Sequence, residues 1–167
     1  MFGKTLATAV TALFALTAAA AAQSPTRIQQ FDSWGAYSYD SNGSKVCYVL
    51  SIPISSAPTN VDHGDIFFLV SQRPGQNVSY EPHAMMGYPL QESSKVTVNV
   101  DGRDFTFFTR GSSAWVENAA QEPQLVAAMK AGSSMTVKAV SRRGTDTSYS
   151  YSLKGITAAL NQIASCK

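Results

Sequence analysis

Residues 135–167, MTVKAVSRRGTDTSYSYSLKGITAALNQIASCK, decide the fold of this chain. The first part predicts a strand over 135–141. Residues 147–153 then alternate apolar and polar side chains with the period of two that is typical of a half-buried strand. Between them, 142–146 is a polar turn that contains Gly144, a residue for which a positive φ costs little. We therefore expect a hairpin whose second strand turns its tyrosines inward.

The periodicity changes from that of a strand to that of a helix after Gly155. The next apolar residues recur at i, i+3, i+4 and i+7, the spacing of one helix face. They are Ile156, Ala159, Leu160 and Ile163. Cys166 continues the same face, so the sequence predicts a C-terminal helix that brings this cysteine to the core.

The only other cysteine is Cys47. Two cysteines in an exported protein are expected to pair, which predicts a Cys47–Cys166 disulfide across most of the chain. Two free thiols, or a metal pair without further ligands, are the alternatives.

The export prediction rests on the N-terminus. Lys4 precedes an uncharged run rich in Ala, Leu, Val and Phe, and small residues at 20–22 satisfy the cleavage rule. We expect a signal peptide over 1–22, cut between Ala22 and Gln23. The alternative, a membrane anchor, needs roughly 20 strongly apolar residues, more than this run has.

The composition limits which classes of function this chain can have. Residues 23–167 suit one domain with its own core. The 13 basic and 11 acidic residues nearly balance, so no charge excess argues for binding to nucleic acid or to a membrane surface. No later stretch is long and apolar enough to span a membrane, so the mature chain is expected to lack a transmembrane segment.

The middle of the chain predicts further strands. The clearest is a hairpin in which 95–100 and 103–110 flank Asp101-Gly102, with Val98 opposite Phe105 and Val96 opposite Phe107. Other strands are expected over 30–39, 45–54 and 65–72, with an edge strand over 83–90, whereas 23–29 and 55–64 are expected to be irregular. Glu122-Pro123 predicts the start of a helix that ends before Gly132. The predicted fold class is mainly β: an antiparallel, sandwich-like single domain with one short helix and a C-terminal helix, closed by a disulfide.

The two histidines are the candidate metal ligands. His63 lies beside Asp62 and Asp65. His83 lies near Glu81, Met85 and Met86, a set similar to a soft-ligand copper site. Neither spacing is specific, and a strand would turn Met85 and Met86 to opposite faces. We therefore expect loop histidines and core methionines, with no metal and no cofactor.

No catalytic motif emerges. The sequence contains no G-x-S-x-G elbow, and its carboxylates cluster at turns and helix starts. An enzyme is therefore not expected.

Trp34 and Trp115 have two interpretations, as core residues or as parts of an exposed aromatic binding strip.

A series of short segments, in order along the chain, resembles the invasion-associated locus B family of Gram-negative envelope proteins. They are 32–37 (DSWGAY), 45–47 (KVC), 64–65 (GD) with 73–74 (RP), 100–102 (VDG), 114–115 (AW), 125–130 (LVAAMK), 143–145 (RGT) and 151–155 (YSLKG). Many relatives have a further cysteine where this chain has Tyr37, Ser38 and Tyr39.

The resemblance implies an all-β core and a periplasmic, secreted or outer-membrane-associated location. Some members are linked to host-cell invasion, but the family has no agreed molecular activity, so it implies no catalytic residue. The leading hypothesis is thus a non-catalytic envelope protein that binds an envelope or host-surface protein. Two alternatives remain: a periplasmic metal-binding protein or hydrolase that uses His63 or His83, and a chaperone or inhibitor that acts by β-augmentation.

Overall fold

The computed structural model describes residues 24–166, which form eleven strands, two α-helices and two short 3-10 turns. The strands are β1 Thr26–Phe31, β2 Trp34–Ser41, β3 Ser44–Ser51, β4 Ser55–Ala57, β5 Phe67–Arg73, β6 Val78–Met85, β7 Lys95–Val100, β8 Arg103–Arg110, β9 Ser113–Val116, β10 Ser134–Val140 and β11 Asp146–Ser152. The helices are α1 Glu122–Ala131 and α2 Ile156–Ile163. The mainly β class is confirmed. The division into a signal peptide over 1–22 and one domain over 23–167 stays a prediction, because residues 1–23 lie outside the described part.

All the strands belong to one antiparallel sheet, in the order β1-β2-β3-β5-β6-β9-β8-β7-β10-β11-β4. The sheet curves over a shared core, because Phe68 of β5 contacts rings from three distant strands. Its ring centroid lies 6.4 Å from that of Trp34, 6.2 Å from that of Phe107 and 6.1 Å from that of Tyr151. The Trp34 indole N–H also donates to the Ser152 carbonyl at 3.0 Å, which joins β2 to β11. These contacts make the two halves of the sheet face each other, as the sandwich-like prediction requires.

The C-terminal segment folds as predicted. β10 and β11 pair from Ser134 with Ser152 to Val140 with Asp146. The inward tyrosines of β11, the leucine directly after this strand and the apolar face of α2 are all buried; they are Tyr149, Tyr151, Leu153, Ile156, Ala159, Leu160 and Ile163. The change of periodicity at Gly155 marks the end of the sheet because this glycine adopts a φ of +92°, which turns the chain onto β1 and β2.

The predicted hairpin of β7 and β8 also has its predicted register. Val98 pairs with Phe105 and Val96 with Phe107, and all four side chains are buried. Asp101 and Gly102 have φ values of 44° and 93°, as a two-residue turn of this hand requires. Local alternation therefore determined both strand faces here.

The N-terminal strand prediction is wrong in its boundaries. Residues 30–39 form two strands rather than one, because Asp32 takes a φ of 48° and reverses the chain into β2. The preceding polar residues form β1, whose side chains are almost all exposed. A strand with so few buried side chains carries no hydrophobic period, so the sequence does not reveal it.

Two other predictions are corrected. The segment 55–64 is not wholly irregular, since β4 pairs with β11 at the edge of the sheet. Residues 83–90 are not an edge strand, since β6 lies between β5 and β9. Pro82 is tolerated there because β9 pairs only with His83 to Met85, so Pro82 needs no donor on that side. The helix α1 begins at Glu122 as predicted and buries Leu125, Val126 and Met129.

Candidate functional site

The two cysteines meet. Cys47 of β3 and Cys166, just beyond α2, have Cα atoms 5.9 Å apart and form a disulfide, as predicted. The helix α2 packs against β1, β2 and β3, so the bond closes the C-terminus onto the N-terminal half of the sheet. The predicted cleavage site, Ala22 and Gln23, lies outside the described residues.

His63 lies in the loop after β4, as expected, and both of its ring nitrogens are occupied. Nδ1 lies 2.8 Å from the Tyr149 hydroxyl, and Nε2 lies 2.9 Å from the Pro58 carbonyl oxygen. Its neighbour Asp62 accepts a hydrogen bond from the Gly64 N–H instead of pointing a free carboxylate at the ring. The metal set proposed around His63 is therefore not assembled. Within residues 24–166, no three His, Cys, Asp or Glu side chains converge as metal ligands do.

A chain of hydroxyls continues from His63 into the protein. The Tyr149 hydroxyl donates to that of Tyr88 at 2.9 Å, and Tyr88 lies 2.6 Å from Thr147 Oγ1. Thr147 donates to the Ala139 carbonyl at 3.1 Å, so the proton between Tyr88 and Thr147 comes from Tyr88. Burial, reinforced by the hydrogen bond to Tyr88, raises the pKa of Tyr149 well above its usual range, so Tyr149 stays a neutral hydroxyl.

This network lines a cleft of about 520 Å³. Its lining includes His63, Tyr88 and Thr147, together with Arg142 and Arg143 of the β10–β11 turn. The sequence pattern indicated His63 but not its partners. Tyr88 lies in a loop, and the alternation of β11 indicated that Tyr149 is buried without indicating what its hydroxyl contacts.

His83 differs from its expected setting, since it lies in β6 and not in a loop. Its ring stacks on Trp115 with centroids 4.6 Å apart, and its Nε2 is buried without a hydrogen-bond partner. Burial lowers the pKa of His83, although nearby Glu81 acts in the opposite direction. The neutral form is therefore favoured in the folded protein.

The copper set proposed around His83 is not assembled either. Met85 is exposed and Met86 is buried, which confirms that they point to opposite faces. Glu81 is held by Arg73 at 2.7 Å. In the described chain, no serine or carboxylate is hydrogen-bonded to either imidazole, so no Ser-His-Asp arrangement is formed around His63 or His83.

The outer face of the sheet carries a continuous row of apolar and aromatic side chains. Register places one residue from each of five neighbouring strands in line, and we call these residues the outer-face row. They are Leu50 of β3, Leu69 of β5, His83 of β6, Trp115 of β9 and Phe108 of β8. Phe108 is exposed, and the other four residues are partly exposed.

The tryptophans therefore have different roles. Trp34 is fully buried, so its interpretation as a core residue is correct. Trp115 stands on the outer face between His83 and Phe108, whose ring centroid lies 5.8 Å from that of Trp115. The interpretation as an exposed aromatic strip thus fits Trp115, and sequence analysis could not separate the two because both residues lie in short alternating segments.

The sheet leaves one longer strand at its border. In the described chain β1 pairs only with β2, and the pairing shifts register between Arg27 and Gln29. A bulge and a charged residue at an open edge discourage the addition of another strand. The geometry thus favours the outer-face row over this edge as a binding surface.

Across residues 24–166, no helix is both long enough and apolar enough to cross a bilayer.

A family model described as "Invasion associated locus B (IalB) protein" matches residues 34–164. No curated protein and no solved structure matches the chain.

Proposed function

Because this chain belongs to the invasion-associated locus B family, we propose that it is an exported envelope protein that acts by binding another protein, and not by catalysis. It is delivered by a signal peptide over 1–22 and works in the periplasm, at the outer membrane or outside the cell. The partner is an envelope or host-surface protein. The outer-face row is the observation that carries this proposal.

The row has the composition of an interface core. Aromatic side chains and methionine are enriched at such cores, and charged residues are placed around them. Phe108 is 40% exposed and Met85, beside the row, is 36% exposed. Two ion pairs border the aromatic part, Arg73 with Glu81 and Lys95 with Glu117. An apolar strip with a polar rim on the outer face of a sheet suits contact with a protein surface.

The stacking within the row favours a protein partner over a sugar. Sugars pack on the open faces of aromatic rings. Here the Trp115 ring is stacked on His83 on one side, with an interplanar angle of 10°, and on Phe108 on the other, with an angle of 26°. Both faces of the Trp115 ring are therefore covered by neighbouring rings, and the row as a whole is an apolar and aromatic surface. Such a surface gains by burial against another apolar surface.

Site-specific photo-crosslinking in intact cells tests this proposal. A photoreactive phenylalanine analogue is placed at Phe108, and a matched control carries it at Ala158, an exposed position of α2. We expect a discrete protein adduct from position 108 that position 158 does not give and that Trp115→Ala reduces. The same adducts from both positions, or none from position 108 when a control pair is captured, would contradict binding through the row. Export is tested separately by intact mass, which should show a chain that begins at Gln23.

A further inference from the structure

The cleft between His63 and the β10–β11 turn has an excess of positive charge. Arg142 and Arg143 both line it, and neither takes part in an ion pair within residues 24–166. Asp62 is the one carboxylate on the wall, and one of its oxygens is already bonded to the Gly64 N–H. From this arrangement we propose that the cleft binds an organic anion through its phosphate or carboxylate group.

The turn that carries the two arginines is held in place before any ligand arrives. The Arg142 N–H donates to the Pro89 carbonyl at 2.9 Å, and Ser141 forms an isolated bridge with Leu90. Within the turn, the Ser141 N–H donates to the Thr145 carbonyl, and the Thr145 N–H donates to Ser141 Oγ. The backbone below the guanidinium groups is therefore ordered, which lowers the entropic cost of binding.

The donors on this turn suit an oxyanion. A guanidinium group presents paired N–H donors that match two oxygens of a phosphate or carboxylate. Ser141 and Thr145 also line the cleft, and each carries a hydroxyl with a proton to donate. His63 offers no free ring nitrogen to a ligand, because both of its nitrogens are engaged by Tyr149 and Pro58.

The remaining wall determines what else the ligand carries. The volume of about 520 Å³ exceeds that of a phosphate or carboxylate group alone. Val61, which is 41% exposed, together with Pro89 and the Tyr88 ring gives this wall an apolar surface. The ligand class is therefore an anionic head group joined to a compact apolar part. This inference does not rest on the outer-face row, which belongs to a different part of the sheet.

NMR titration of the full mature protein with phenyl phosphate, at constant ionic strength, tests the inference. Phenol and inorganic phosphate separate the contributions of the apolar part and the head group. We expect shifts confined to residues 61–63, 88–89 and 141–145, with phenyl phosphate the tightest of the three. The double variant Arg142→Ala/Arg143→Ala should bind about tenfold to a hundredfold more weakly, the loss expected for charged hydrogen bonds.

The matched control is Arg27→Ala, which removes an exposed arginine from β1, remote in the sheet order from the cleft turn. It should leave binding unchanged. Equal weakening by the control and the double variant would show unspecific charge attraction and overturn the proposal, as would absence of binding at millimolar phenyl phosphate.

Sedimentation with phosphatidylcholine vesicles that contain phosphatidic acid distinguishes a lipid head group from a soluble ligand. Arginine-dependent co-sedimentation identifies a lipid, and phenyl phosphate binding without it identifies a soluble ligand.

Discussion

Tyr149 and Tyr151 lie two positions apart in β11, both fully buried, yet only the Tyr149 hydroxyl is hydrogen-bonded. It contacts His63 at 2.8 Å and Tyr88 at 2.9 Å, whereas the Tyr151 hydroxyl has no partner among the described residues. Burial raises the pKa of both phenols above the usual range, so neither ionises to resolve the difference. The same side chain is thus part of a polar network at one position and a packing element at the other.

The two tyrosines should respond differently to loss of the hydroxyl. Tyr149→Phe removes one of the two hydrogen-bond partners of His63 and one of the two of Tyr88, which should lower the free energy of unfolding by about 1–3 kcal/mol. Tyr151→Phe removes a buried group with no hydrogen bond, so its effect should lie within about 0.5 kcal/mol of zero or be stabilising. Urea denaturation of the two variants provides the measurement. Equal losses would contradict the network.

The glycine that joins β11 to α2 should be intolerant of a side chain. A Cβ at Gly155 would overlap the carbonyl oxygen of Phe31, and its φ of +92° is strained for other residues. We expect Gly155→Ala to cost at least about 3 kcal/mol. Gly144→Ala is the matched control, because Gly144 has a φ of +82° but open space around its Cβ position, and it should cost only about 1–2 kcal/mol. Thermal denaturation would show both. Similar losses would mean that the approach to Phe31 is not tight.

The disulfide should contribute a large part of the stability. It closes a sequence separation of 119 residues, for which the chain-entropy model gives roughly 4–5 kcal/mol. The double variant Cys47→Ser/Cys166→Ser should therefore lose about that amount in denaturant, and hydrogen exchange should show fraying of α2. Reduced wild-type protein serves as the control and should behave alike. If alkylation without reductant labels either cysteine in unfolded protein, the bond is absent.

Stability should also depend on pH through His83. Its pKa is lowered in the folded state by burial, with Arg73 adding to this effect and Glu81 opposing it, while the unfolded value is about 6.5. Below that pH the unfolded chain binds a proton that the folded chain resists, so the free energy of unfolding should fall as pH drops from about 6.5 toward the folded pKa.

His83→Phe keeps a flat ring beside Trp115 and removes the titrating group. The variant should show a smaller fall in stability between pH 7 and pH 5 than the wild type, measured by urea denaturation at each pH. Parallel pH dependences for the two proteins would show that other groups dominate in this range.

Sequence periodicity determined which face of each regular element is buried. Alternation in β7, β8 and β11, and the i, i+3, i+4, i+7 spacing in α2, reflect the requirement that apolar groups leave water, and that requirement acts on each segment locally. The turn at Asp101-Gly102 was predictable for a similar reason, since backbone conformation depends on the residue that must adopt it.

Only the tertiary structure decided which segments meet. β1 and β4 form because neighbouring strands offer backbone hydrogen-bond partners. Because the side chains of these two strands are largely exposed, no apolar pattern in the sequence indicates either strand. His63 and Tyr149 are 86 residues apart, and their contact follows from β4 pairing with β11. Burial is a property of one residue and its period, whereas a hydrogen bond needs two groups at a fixed distance. The partners of His63 and His83, and with them the cleft and the outer-face row, therefore depend on strand order, which no local pattern encodes.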